Sequence, residues 1–64
     1  MYALNNEKIT KARAEELIHD LAMFPNNEED LTLSIKEREQ KYTNELKADG
    51  KLKLAEALLL TFAE

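Results

Sequence analysis

The apolar residues of the chain fall into three segments separated by two breaks. The first break is Phe24-Pro25-Asn26-Asn27 and the second is Asp49-Gly50, and both contain residues that favour turns. The segments between them have lengths typical of helices. The pattern therefore predicts three helices, over residues 10–24, 27–48 and 51–63.

Residues 10–24 carry one apolar face. Thr10 is a suitable N-cap, and the helix must end near Phe24 because the residue before a proline disfavours the α conformation. Lys11 and Arg13 would oppose the helix dipole in a first turn that begins at Thr10, so a start nearer Asn6 is the alternative. At helical spacing the apolar side chains share an arc of about 160° and comprise Ala14, Leu17, Ile18, Leu21, Ala22 and Phe24.

The middle segment offers two helix starts. Asn26 or Asn27 can cap a helix whose first turn is the acidic run 28–30, whereas Ser34 and Glu37 form a capping box. The alternation of apolar residues over 31–35 resembles a strand, but only the weak strand pattern of residues 2–4 could pair with it. We therefore predict one helix over residues 27–48, with a break before Ser34 as the alternative and Gly50 as a left-handed stop.

The last segment is the most apolar part of the chain. As a helix it would bury about half of its circumference, but Leu60 would point away from this face and stand in water in a solitary monomer. The sequence therefore predicts an all-α domain: a helical hairpin and a C-terminal helix, completed by formation of a symmetric homodimer. The expected self-association residues are Tyr42, Leu46, Leu52, Leu59, Leu60 and Phe62.

Composition narrows the classes of function. The 64 residues suffice for one small domain, and the net charge of −4 argues against general affinity for nucleic acids or anionic membranes. No apolar run is long enough for a membrane span, and the N-terminal residues lack the pattern of a signal peptide. With no cysteine in the chain, we expect a cytoplasmic protein.

Charge is distributed unevenly along the chain. Residues 14–35 contain six acidic residues and no lysine or arginine. The turn at Pro25 would bring these acids together at one end of the molecule, where they could form a docking surface for a basic partner or simply a solvated end. The predicted acidic partner surface consists of Glu16, Asp20, Glu28, Glu29 and Asp30.

The sequence carries no recognisable catalytic, metal or cofactor motif. The single histidine, His19, lies on the polar face of the first predicted helix, away from any activated nucleophile. A helix-turn-helix interpretation would make residues 51–62 the recognition helix, but leucine and alanine dominate that segment. We therefore expect no enzyme activity, no cofactor, no metal and no direct binding of nucleic acid.

These observations favour a small non-enzymatic regulatory or adaptor protein that acts through protein–protein contacts as a homodimer. Two alternatives stay open. One is an acidic inhibitor that mimics nucleic acid and blocks the basic cleft of a DNA- or RNA-binding protein. The other is a small subunit of a larger assembly. The sequence does not name the partner in any of these cases.

Overall fold

The computed structural model describes residues 1–64 and shows an α+β fold with two helices and one four-stranded sheet. A hairpin precedes the helices, a short 3₁₀ helix connects them, and a second hairpin follows. In chain order the elements are β1 (Tyr2–Leu4), β2 (Glu7–Ile9), α1 (Lys11–Met23), the 3₁₀ helix (Glu28–Thr32), α2 (Ile35–Asp49), β3 (Lys51–Ala55) and β4 (Leu58–Phe62).

The sheet is antiparallel throughout, with the strand order β2-β1-β4-β3. Its two central strands, β1 and β4, therefore come from opposite ends of the chain. Tyr2 pairs with Ile9 on one side and Phe62 on the other, while Leu60 lies between Leu4 and Leu52. Because paired residues point to the same face of a sheet, these apolar side chains line the face that the helices cover.

The prediction of an all-α, three-helix domain is wrong. Residues 51–62 form a β-hairpin rather than a helix, so Leu60 lies fully buried in the middle of the sheet. The lysines and leucines of 51–54 alternate with a period of two, which suits a half-buried strand. This strand pairs with β4, and β4 pairs with β1 on its other side. Leu60, which a helix over residues 51–63 would leave in water, is therefore covered within one chain.

Two of the three predicted helices are present, and their ends follow the predicted local chemistry. The Thr10 side chain accepts a hydrogen bond from the Arg13 amide, and α1 ends at Met23. Ser34 and Glu37 form the capping box that begins α2, and Gly50 ends it with a φ of 76°. The earlier start at Asn27 gives only the 3₁₀ helix, so the prediction of one continuous helix over residues 27–48 is wrong and the alternative, a break before Ser34, is the observed arrangement.

The first hairpin turns through two asparagines. Asn5 and Asn6 have φ values of 49° and 70°, a left-handed conformation that asparagine adopts more readily than most residues. The Asn5 side chain also donates to the Ala57 carbonyl and accepts from the Leu59 amide, both at 2.9 Å. Asn5 thus joins the turn of the first hairpin to the second.

One hydrophobic core holds the helices against a single face of the sheet. It contains nine buried residues: Ala14, Ile18, Leu21 and Ala22 of α1, Tyr42 and Leu46 of α2, and Leu52, Leu54 and Leu60 of the sheet. The opposite face of the sheet has no helix packed on it. Neither helix is both long and apolar enough to span a bilayer.

The outer edge of β3 is partly blocked. The pairing with β4 shifts between Lys53 and Ala55, which is a β-bulge, and the Asn26 side-chain amide donates to the Leu54 carbonyl at 3.0 Å. Bulges and capped carbonyls make an edge strand a poorer template for another strand. This edge is therefore poorly suited to sheet extension by a second chain.

Candidate interaction surface

A buried ionic cluster fixes the 3₁₀ helix to α2. Asp30 is only 2% exposed, and its side chain accepts hydrogen bonds from the Tyr42 hydroxyl at 2.6 Å and from the Lys41 ammonium. The Arg38 guanidinium donates to the Asp30 carbonyl at 2.7 Å and to the Ala22 carbonyl at 2.8 Å. These contacts hold the end of α1, the 3₁₀ helix and the start of α2 as one unit.

The pKa shifts in this cluster preserve its charges at neutral pH. Hydrogen bonds from Lys41 and Tyr42 lower the pKa of Asp30, and the hydrogen bond to Asp30 raises the pKa of Lys41. Burial, followed by the hydrogen bond to Asp30, raises the pKa of Tyr42 to about 12. Since a general acid or base works best with a pKa near the working pH, these shifts suit a structural role better than proton transfer.

Large apolar side chains are exposed around this cluster. Phe24 is 79% exposed and Leu31 is 61% exposed, while Met23 and Ile35 are about half as exposed as Phe24. Arg38 holds the backbone segments that carry them close together, because its guanidinium donates to the carbonyls of Ala22 and Leu31 and it follows Ile35 by about one helical turn. We call this surface the Phe24 patch; it consists of Met23, Phe24, Leu31 and Ile35.

Four of the five residues predicted to form the acidic partner surface are exposed: Glu16, Asp20, Glu28 and Glu29. Glu28 and Glu29 lie on the 3₁₀ helix that carries Leu31, whereas Glu16 pairs with Arg13 on α1. Asp30 does not belong to this surface, because its carboxylate is buried and paired with Lys41. The acidic surface is therefore smaller than the sequence suggested, and it adjoins the Phe24 patch.

The residues predicted to mediate self-association have a different role from the expected one. Tyr42, Leu46, Leu52 and Leu60 are buried in the core of the single chain. Phe62 is partly buried against Tyr2, with ring centroids 4.8 Å apart, and Leu59 is 39% exposed. Only the last two could contribute to a dimer contact without unfolding the chain.

The sequence did not identify the Phe24 patch as a site. Phe24 fits the apolar arc predicted for α1. Its position before Pro25 is the only local sign that it lies outside the helix and does not pack in the core. Leu31 and Ile35 flank the break before α2, and their spacing, which resembles a strand, gives no sign that both are exposed. The available signal was that apolar residues lie at the end of α1 and at the start of α2, on both sides of the connection between the helices.

A concavity of about 450 Å³ lies between α2, β3 and the loop before the 3₁₀ helix. It opens to solvent, and most of its lining residues are polar, including Asp30, Lys41 and Glu45. Small-molecule sites are usually enclosed and mostly apolar, so this cleft fits such a ligand poorly. No group of three histidine, cysteine or acidic side chains is arranged to hold a metal ion.

Comparisons of the chain with protein-family models, curated proteins and solved structures give no match. Its function is therefore inferred from the chemistry and shape of its own surface.

Proposed function

We propose that this chain is a small non-enzymatic regulatory or adaptor protein that binds another protein through the Phe24 patch. The observation that carries the proposal is the exposure of Phe24, at 79%, beside Leu31, at 61%. Single exposed apolar residues are ordinary on protein surfaces, but a group of them marks an interaction site. A central aromatic side chain with aliphatic neighbours is also the usual composition of a binding hot spot.

The rigidity of the support favours binding at this patch. Arg38 donates to main-chain carbonyls on both sides of the break, and Asp30 ties the 3₁₀ helix to Lys41 and Tyr42. A surface that is already ordered loses less conformational entropy when a partner binds. The patch can therefore bind a partner without first folding.

The charge near the patch favours binding of a different protein over binding of a second copy of this chain. Asp20, Glu28 and Glu29 are exposed close to the apolar residues. In a symmetric dimer through this surface, these acids would face their own copies, and like charges oppose such a contact. A basic partner would instead associate faster because of them. We therefore propose a heterologous partner for this patch. The predicted self-association involves other residues, and the strand register places Leu59 and Phe62 on opposite faces of the sheet, so one contact cannot use both.

Two further features of the sequence enter the proposal. The acidic-inhibitor alternative relies on Glu28 and Glu29 and gives Phe24 no role, so substitutions can separate the two. The absence of cysteine in the chain suits a reducing compartment, and we propose that the encounter takes place in the cytoplasm.

The test compares variants of the whole chain as bait for proteins from the native host. Phe24→Ser combined with Leu31→Ser removes the apolar centre of the patch, and Glu28→Gln combined with Glu29→Gln removes the adjacent charge. Leu58→Ser is the matched control, because Leu58 is 40% exposed and lies on β4, outside the patch. Circular dichroism confirms that each variant is folded.

We expect a protein that the wild type and Leu58→Ser retain but that the Phe24/Leu31 variant loses. Equal retention by the Phe24/Leu31 variant would contradict the proposal. Loss with the Glu28/Glu29 variant alone, with full retention by the Phe24/Leu31 variant, would support the acidic inhibitor instead.

A further inference from the structure

The face of the sheet that the helices do not cover forms a second distinctive surface. The strand register places Lys8, Ala3, Thr61 and Lys51 in one row across all four strands. In the neighbouring row, Lys53 pairs with Leu59. Because side chains alternate along a strand, all of these point away from the core residues Leu52 and Leu60. We call this surface the outer face.

The outer face has a floor of small side chains between two basic borders. Ala3 and Thr61 are small and lie on the central strands, whereas Lys8 and Lys51 lie on the two edge strands. Three strand spacings separate the edge strands, or about 14 Å. An α-helix with its side chains is about 10–12 Å wide, so one helix fits between the two lysines.

The charge of the outer face is opposite to that of the whole molecule. Its strand residues include the three lysines Lys8, Lys51 and Lys53 and no acidic residue, although the chain carries a net charge of −4. All three lysines are exposed. A second copy placed face to face would oppose lysine to lysine, so charge complementarity requires a different and acidic occupant.

The distribution of aromatic residues distinguishes between acidic occupants. Tyr2 and Phe62 are the only aromatic residues in the strands, and they pack together on the opposite, core-facing side. The outer face therefore offers no ring on which a nucleic-acid base could stack. It offers small and aliphatic side chains to an apolar stripe, and ammonium groups to the carboxylates beside it.

We propose that the outer face binds an acidic amphipathic helix of another protein. The apolar stripe of that helix lies on Ala3, Thr61 and Leu59, and its flanking carboxylates pair with the lysines at the borders. Together with the Phe24 patch this gives the chain two separate surfaces of different chemistry, as an adaptor requires. The outer face does not depend on the Phe24 patch, so either proposal can fail alone.

The test uses the full chain and defined probes. The first probe is a fluorescent amphipathic helical peptide of leucine, alanine and glutamate; the second has lysine in place of every glutamate; the third is a single-stranded oligothymidylate. Binding is measured by fluorescence anisotropy at two salt concentrations. Amide chemical shifts in ¹⁵N-labelled protein locate the contact.

Two double variants with the same change of charge provide the comparison. Lys8→Glu with Lys51→Glu reverses both borders of the outer face. Lys36→Glu with Lys47→Glu makes an equal change at exposed positions of α2. For the acidic peptide we expect about tenfold weaker binding to the first variant and less than twofold weaker binding to the second, because only the first alters groups at the interface.

We also expect chemical-shift changes at Ala3, Thr61 and Lys51, and unchanged peptide binding by Phe24→Ser. The proposal is overturned if the acidic peptide does not bind the wild type, if the basic peptide binds equally well, or if both double variants weaken binding equally. Tighter binding of the oligothymidylate than of the acidic peptide would overturn it in favour of a nucleic-acid surface.

Discussion

Replacing Leu60 with alanine tests the β-hairpin at the centre of this fold. Leu60 is fully buried between Leu4 and Leu52, so the substitution removes three carbon atoms from a tightly packed position. At about 0.8 kcal/mol per methylene the lost transfer free energy is about 2.4 kcal/mol, and the remaining cavity brings the expected cost to about 3 kcal/mol. A domain of this size has a free energy of unfolding of roughly 3–10 kcal/mol.

Leu59 provides the matched control, because it is the next residue on the same strand and its side chain is 39% exposed on the outer face. Leu59→Ala changes strand propensity in the same way, but much of the removed surface was already in water, so we expect a cost of about 1 kcal/mol. Leu60→Val removes a single carbon and should retain the fold if Leu60→Ala does not.

Urea unfolding followed by circular dichroism at 222 nm measures these costs. With a slope of about 1 kcal/mol/M, the midpoint should fall by about 3 M for Leu60→Ala and by about 1 M for Leu59→Ala. Thermal unfolding should show the same order, with a decrease of roughly 12–24 °C for Leu60→Ala. A larger loss for Leu59→Ala than for Leu60→Ala would refute the sheet, because a helix over residues 51–63 buries Leu59 and exposes Leu60.

Three further predictions concern the ionic cluster, the α2 terminus and self-association. The folded-state pKa of Tyr42, about 12, exceeds its ordinary value of 10.0, so its contribution to stability is complete below pH 10 and is lost as the pH rises through 12. In the variant Tyr2→Phe, where Tyr42 is the remaining tyrosine, the phenolate absorbance should therefore appear near pH 12. A midpoint near pH 10 in the folded protein would contradict the burial of Tyr42. Gly50 has a φ of 76°, so Gly50→Ala should lower the free energy of unfolding by about 1–2 kcal/mol in urea titrations, whereas an unchanged value would exclude the left-handed cap. Light scattering at micromolar concentration measures self-association, and Leu59→Glu should abolish a dimer that forms through Leu59. A dimer that persists in Leu59→Glu would show that the contact does not involve Leu59.

The two helices were predictable because their ends depend on local chemistry. Thr10, the Ser34–Glu37 capping box and Gly50 each satisfy a helix terminus with groups that are close in sequence. The hairpin over residues 51–62 was missed because leucine and alanine favour helices and its turn contains neither glycine nor proline. The conformation of this hairpin depends on the pairing of β4 with β1. Because β1 has only three residues and lies at the other end of the chain, the local sequence does not reveal this pairing.

The surfaces were only partly predictable for a related reason. Charge is visible in a sequence, and the acidic residues Glu28 and Glu29 are exposed in the structure. The burial of Asp30 depends on Tyr42 and Lys41, which reach it from the next helix. Phe24 is exposed because α1 ends before it. Helical periodicity describes only residues inside a helix, so it could not predict this exposure.

The position of β1 and β4 in the middle of the sheet has a consequence for synthesis of the chain. Met1 and Ala63 are hydrogen-bonded across a sequence separation of 62 residues. During translation the helices can form early, but the sheet waits until nearly all of these residues have left the ribosome, since contacts between distant segments form slowly. Until then the apolar faces of the helices lack the sheet that will cover them. Loss of either β1 or β4 would remove an inner strand of the sheet instead of an edge strand.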